Sequence, residues 1–187
     1  MSAGPQHNPP QAAQTAAALD RWIQYLYVAH RYPRVAVIAH SMAGLVARAF
    51  VNRVVVAGDG RAEGLRLFIT LSTPSDGHSL AQRSVDRAPV VVPSWYDMAP
   101  GNPFLHSLLE PPLPPSLANY LLFSYAGGSR LLRGANDGAV TLASQLVPRA
   151  QMQARQVRGF DESHRTILRS PDVAALIHQK LEDLITE

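Results

Sequence analysis

The sequence predicts an α/β fold: a mostly parallel sheet with helices on both faces. Three observations carry this. Apolar, β-branched runs at 35–38 and 65–71 read as strands covered on both faces, as parallel strands are. Segments of helical periodicity alternate with them, the pattern of βα units. Ser170, Pro171 and Asp172 form a helix start, an N-cap followed by proline at the first helical position.

The elements follow in order. Residues 1–14 read as a disordered lead, with Pro5, Pro9 and Pro10 opposing regular structure. A helix is expected from Thr15, where Leu19, Trp22, Ile23 and Leu26 form one apolar stripe at i, i+3, i+4 and i+7. A strand at 35–38, a small-residue turn at 39–44 and a largely buried helix at 45–56 come next. The strand at 65–71 ends where Pro74 stops the ladder. The proline-rich stretch at about 78–118 reads as a cap or lid of short helices, with residues 111–115 as a stiff linker. Strands are expected at 119–126 and 153–160. The last helix packs through Val173, Leu176, Ile177, Leu181 and Leu184.

Composition narrows the function. The chain has 187 residues, one domain's length, with 47% hydrophobic and 17% charged residues, which fits a globular protein. The net charge is +3, and the basic residues are all Arg except Lys180, with no clustered run. That is not a nucleic-acid footprint. The absence of cysteine excludes disulfides, thiolate zinc sites and a cysteine nucleophile. No stretch has the length and apolarity of a membrane span or a secretory signal. A soluble chain of unassigned compartment is expected, with no metal or cofactor.

In parallel sheets the chemistry sits at the carboxyl ends of the strands. Ser41 follows the strand at 35–38 and precedes a helix. A serine on such a sharp turn presents its hydroxyl at the top of the sheet, and the residues two before and two after must be small. Here these are Ala39 and Ala43. The amide of Met42, at the helix N-terminus, is placed to donate to an oxyanion. Asp137 follows the third strand in an Asn136-Asp137-Gly138 loop, where a carboxylate can orient an imidazole. His164 follows the fourth strand. Six other histidines compete with it. His7 lies in the lead, His30 ends a helix, His178 lies within the last helix, and His78 and His106 belong to the cap. The alternation of the strand turns His40 away from Ser41. His164 is thus the expected base, with Asp161 as the rival to Asp137 for the acid. Serine, acid, histidine in that order is the order of α/β-hydrolases.

At this point the chain resembles an α/β-hydrolase of the lipase/esterase type. Residues 39–48, Ala-His-Ser-Met-Ala-Gly-Leu-Val-Ala-Arg, resemble the Gly-His-Ser-Met-Gly-Gly-Leu-Val-Ala-Arg turn of bacterial lipases and GPI inositol-deacylase-like lipases. Residues 71–78 resemble their Thr-Pro-x-x-Gly stretch, residues 136–140 their Asp-Gly-Val-Val acid loop, and Ser163-His164 their base loop. Both glycines flanking the serine motif are alanine here.

The resemblance implies hydrolysis of a small-molecule or lipid ester through an acyl-enzyme on Ser41, with Asp137 and His164. It also implies several strands ahead of the nucleophile strand, where this sequence has one helix. The expectation is therefore the C-terminal portion of a larger hydrolase domain. The N-terminal strands, and the loop that supplies a second oxyanion amide, are absent from it. A thioesterase or acyltransferase would share the same triad. A truncated remnant acting as a binding module is the alternative outside catalysis, and upstream coding sequence for further strands would argue against it.

Overall fold

The apolar runs of the sequence form one parallel sheet. The computed structural model describes residues 10–32, 34–58, 60–78, 97–129 and 132–186. The strands are β1 (Val35–His40), β2 (Leu65–Leu71), β3 (Ala118–Ser124) and β4 (Gln156–Phe160), in the order β1-β2-β3-β4. All neighbours are parallel. His40 pairs with Leu71, Leu71 with Leu122 and Ser124 with Phe160, so the carboxyl ends share one edge of the sheet. Among the described residues no strand precedes Val35, and β1 pairs only with β2.

The connections are helical. They are α1 (Gln11–His30), α2 (Met42–Ala57), α3 (Arg61–Gly64), α4 (Pro103–Leu109), α5 (Leu142–Gln145), α6 (Pro148–Met152) and α7 (Pro171–Thr186), with a 3₁₀ turn at Thr166–Arg169. One face of the sheet packs on α1, α2 and α4 through Ala16, Leu45, Phe50, Val54, Phe68 and Leu105. The other packs on α7 through Leu67, Ile69, Leu122, Ile167, Val173 and Leu176. Each of the Leu, Ile, Val and Phe side chains among these contributes about 1.5–3 kcal/mol when fully buried. None of the helices among the described residues is long and apolar enough to cross a membrane.

Several expected elements are shifted. Gln11–Gln14, assigned to the lead, form the first turn of α1, while residues 1–9 lie outside the described set. Pro10 provides no side-chain cap to α1. The cap comes from a distant residue, since the Ala12 amide donates to Asp97 Oδ2 at 2.7 Å. Burial pushes the Asp97 carboxyl above its ordinary value against this hydrogen bond. The core face of α1 is Ala12, Ala16, Leu19 and Ile23. Trp22 is 66% exposed, edge-on to Tyr25, because it stands one residue, about 100°, off that stripe. α2 begins at Met42 rather than at 45, since Ser41 alone makes the turn.

The expected cap lies partly outside the described residues, at 79–96. Part of the described remainder joins the core. Leu105, Leu108 and Leu117 are buried with α2, and Arg48 of α2 clamps the segment. Its guanidinium donates to the carbonyls of Leu108 (2.9 Å) and Pro111 (2.5 Å) and to Asn52 Oδ1. Burial pushes the Arg48 pKa down to about 10, so it stays charged at neutral pH. Hydrogen bonds to a charged group contribute about 1.5–3 kcal/mol. Arg48→Ala is expected to lower stability by about 2–3 kcal/mol in urea denaturation. An unchanged midpoint would mean that α4 is held without this clamp.

Candidate active site

Ser41 occupies a backbone conformation that L-residues rarely adopt, φ 56° and ψ −133°. Such strain costs on the order of 1–3 kcal/mol and persists only where the surroundings enforce it. The Ser41 amide donates to the Leu71 carbonyl at 2.8 Å, which ties the turn to β2. α2 then departs at once and passes close to the loop after β2. A Cβ on Gly44 would lie 2.0 Å from Thr73 Oγ1, so this position admits only glycine. Ala39 is buried and Ala43 is exposed. The close approach that demands glycine thus falls at Gly44, which the sequence keeps, and not at the two positions where it carries alanine. Met42 N–H is the first amide of α2, one of those with no acceptor within the helix.

The acid loop is set by backbone packing. Asp137 N–H donates to the Val140 carbonyl at 3.1 Å, closing a tight turn. Gly127 lies against it, and a Cβ there would be 1.9 Å from the carbonyl carbon of Asp137. The Asp137 side chain is fully buried, at 0% exposure. Every polar contact on its carboxylate is a donor. Oδ1 accepts from the amides of Ala139 (3.0 Å) and Val140 (2.7 Å). Oδ2 accepts from Ser124 Oγ (2.8 Å), Gln145 Nε2 (3.2 Å) and His164 Nδ1 (2.8 Å). Burial alone would raise its pKa. The donors, His164 first among them, outweigh it and hold the carboxyl below its ordinary value. Asp137 is therefore ionised and can only accept, so His164 carries a proton on Nδ1.

His164 stands in the loop after β4, with its amide donating to the Asp137 carbonyl at 2.9 Å. Its Nε2 lies 2.9 Å from Ser41 Oγ. With the Nδ1 proton committed to Asp137, Nε2 of the neutral ring presents a lone pair and Ser41 O–H donates to it. The three side chains expected from the sequence thus form one continuous chain. Asp161, the rival acid, is exposed.

The structure adds residues that were not singled out. Ser72 and Ser124, at the ends of β2 and β3, are fully buried and 2.6 Å apart. Ser124 donates its one proton to Asp137, so Ser72 must donate to Ser124. Gln145 of α5 is 1% exposed and exchanges hydrogen bonds with the backbone of Ser124. The ends of β2 and β3 were the available signal for the serines; Gln145 had none. His40 lies beside the base. Its ring lies 4.6 Å from that of His164, centroid to centroid, and its Nε2 contacts the His164 carbonyl.

The family model described as PGAP1-like alpha/beta domain matches residues 12–136, more than half of the chain. No curated protein matches the sequence. Among solved structures, mature lipase BlEst2 of Bacillus licheniformis superposes with a TM-score of 0.69 at 18% identity, over 91% of this chain and 74% of its own. The lin2722 product of Listeria innocua gives 0.65 at 16% identity, over 91% and 66%. Phospholipase PlaB of Legionella pneumophila, in complex with thio-NAD, gives 0.59 at 17%, over 72% of this chain and 32% of that one. The chain thus spans about a third of PlaB, and at these identities the likeness is one of fold.

The depressed pKa of Asp137 has a consequence for stability. Its contribution is complete above the ordinary carboxylate value of 3.8 and is lost as pH falls through the lower folded value. Asp137→Asn removes that dependence. Urea denaturation is expected to show wild type more stable than the variant at pH 7, with the gap narrowing below pH ~4. A gap that does not change with pH would contradict an ionised, donor-stabilised Asp137.

Proposed function

The chain belongs to the PGAP1-like alpha/beta domain family, and from that premise we propose that it is a serine hydrolase that cleaves carboxylic esters, with Ser41 as nucleophile, His164 as base and Asp137 as the orienting acid. The carrying observation is the unbroken hydrogen-bond chain from Ser41 Oγ through both nitrogens of His164 to the buried Asp137 carboxylate.

Each group has a task. Ser41 Oγ attacks the ester carbonyl carbon while its proton passes to His164 Nε2. The imidazolium that forms is stabilised by Asp137, which stays ionised. The carbonyl oxygen becomes an oxyanion and accepts from the Met42 amide. The tetrahedral adduct expels the alcohol, which takes the proton from Nε2 and leaves an acyl group on Ser41. Water then attacks that acyl group, giving its proton to the same nitrogen, and the carboxylic acid leaves as Ser41 recovers its hydrogen. The likeness to a lipase and a phospholipase favours a lipid or small-molecule ester as substrate. No metal or cofactor enters these steps.

A fluorophosphonate probe is expected to label Ser41 in the purified chain and to leave Ser41→Ala unlabelled. Labelling that persists in Ser41→Ala would contradict the nucleophile. Asp137→Asn is expected to lower kcat on a short p-nitrophenyl ester by about 10⁴ through loss of the imidazole tautomer. Asp161→Asn is expected to leave the rate within a few-fold. The reverse outcome would move the acid to Asp161.

A further inference from the structure

His40 lies beside the triad, yet none of the steps above uses it. Its Nε2 is 2.9 Å from the His164 carbonyl oxygen. A carbonyl cannot donate, so His40 carries a proton on Nε2 in this contact. The His164 amide is already committed to the Asp137 carbonyl. The base is therefore held through both its backbone groups, by the acid loop on one side and by the residue preceding the nucleophile on the other. The two imidazole rings are 4.6 Å apart at 46°.

We propose that His40 is a positioning residue that fixes the His164 backbone against Ser41 and, when protonated, opposes the charge that His164 must acquire. This rests on the triad reading above. Neutral His40 supplies the Nε2–H and no charge. Cationic His40 keeps the hydrogen bond but places a like charge against the His164 imidazolium, which forms as Ser41 attacks. Among the described residues, the other ionisable groups acting on the pair are Asp137, from the loop after β3, and His78, from the loop after β2. Asp137 acts on both His40 and His164, while His78 interacts with His164 and Asp137. Burial, and then His164, push His40 below the ordinary histidine value, against the pull of the His164 carbonyl and of Asp137. It is therefore neutral at pH 7, and its charging belongs to the acid limb of the activity profile.

The test is the pH dependence of the second-order rate of fluorophosphonate labelling in wild type, His40→Ala and His40→Gln. Wild type is expected to lose rate in acid with a slope that steepens from one proton towards two. His40→Ala loses the donor and is expected to react about tenfold more slowly or worse at the plateau, as small misplacements of a reacting group do. His40→Gln can donate from its amide and cannot charge. It is expected to recover most of that loss and to show a one-proton acid limb. Equal plateau rates in wild type and both variants, or a two-proton limb retained in His40→Gln, would overturn the role of His40 and leave the triad standing. If His40→Ala does not fold, the limb of His40→Gln decides alone. Failure of wild type to label at Ser41 would overturn the triad reading itself, and this role with it.

Discussion

The buried carboxylate of Asp137 is the constraint around which the carboxyl edge of the sheet is arranged. An unpaired ion in that position would cost several kcal/mol. The surroundings meet the cost with five donors: two backbone amides, a serine, a glutamine and a histidine. Each of the three side-chain donors ties a different segment to the acid. Ser124 brings the end of β3 and, through Ser72, the end of β2. Gln145 brings α5. His164 brings the loop after β4. The requirement to satisfy one buried charge therefore sets the relative positions of three strand ends.

The nucleophile is held by a second constraint, steric rather than electrostatic. α2 must start directly at Ser41 and pass against Thr73, which excludes a side chain at Gly44. Ser41 takes up this turn with a positive φ. Acid and nucleophile are thus fixed by different forces on different strands. Among the described residues His164 is the one group that contacts both, so any displacement of its loop breaks the chain at two points.

Much of this was legible in the sequence, for identifiable reasons. β1 and β2 are written as continuous apolar runs because they are covered on both faces. Ser41, Asp137 and His164 stood out because each follows a strand end within a turn-forming context. Other features depend on tertiary contacts that no local pattern records. The true core face of α1 is marked by two small residues, Ala12 and Ala16, while the more conspicuous Trp22 faces solvent. Asp97 caps a helix 85 residues away. Gln145 reads as an ordinary residue of a short helix, and its burial beside a carboxylate is visible only in the fold. His40 meets the backbone and ring of His164, a tertiary contact that no local pattern records.

The tautomer of His164 is the physical state on which the whole arrangement converges. Nitrogen-15 NMR of histidine-labelled protein reads it directly, at a pH where the imidazole is neutral. The expected result is a His164 ring protonated on Nδ1, with that proton shifted downfield by its hydrogen bond to a carboxylate, and a bare Nε2 facing Ser41. A His164 protonated on Nε2 would contradict the arrangement, since it would leave Asp137 without its imidazole donor and Ser41 without a base.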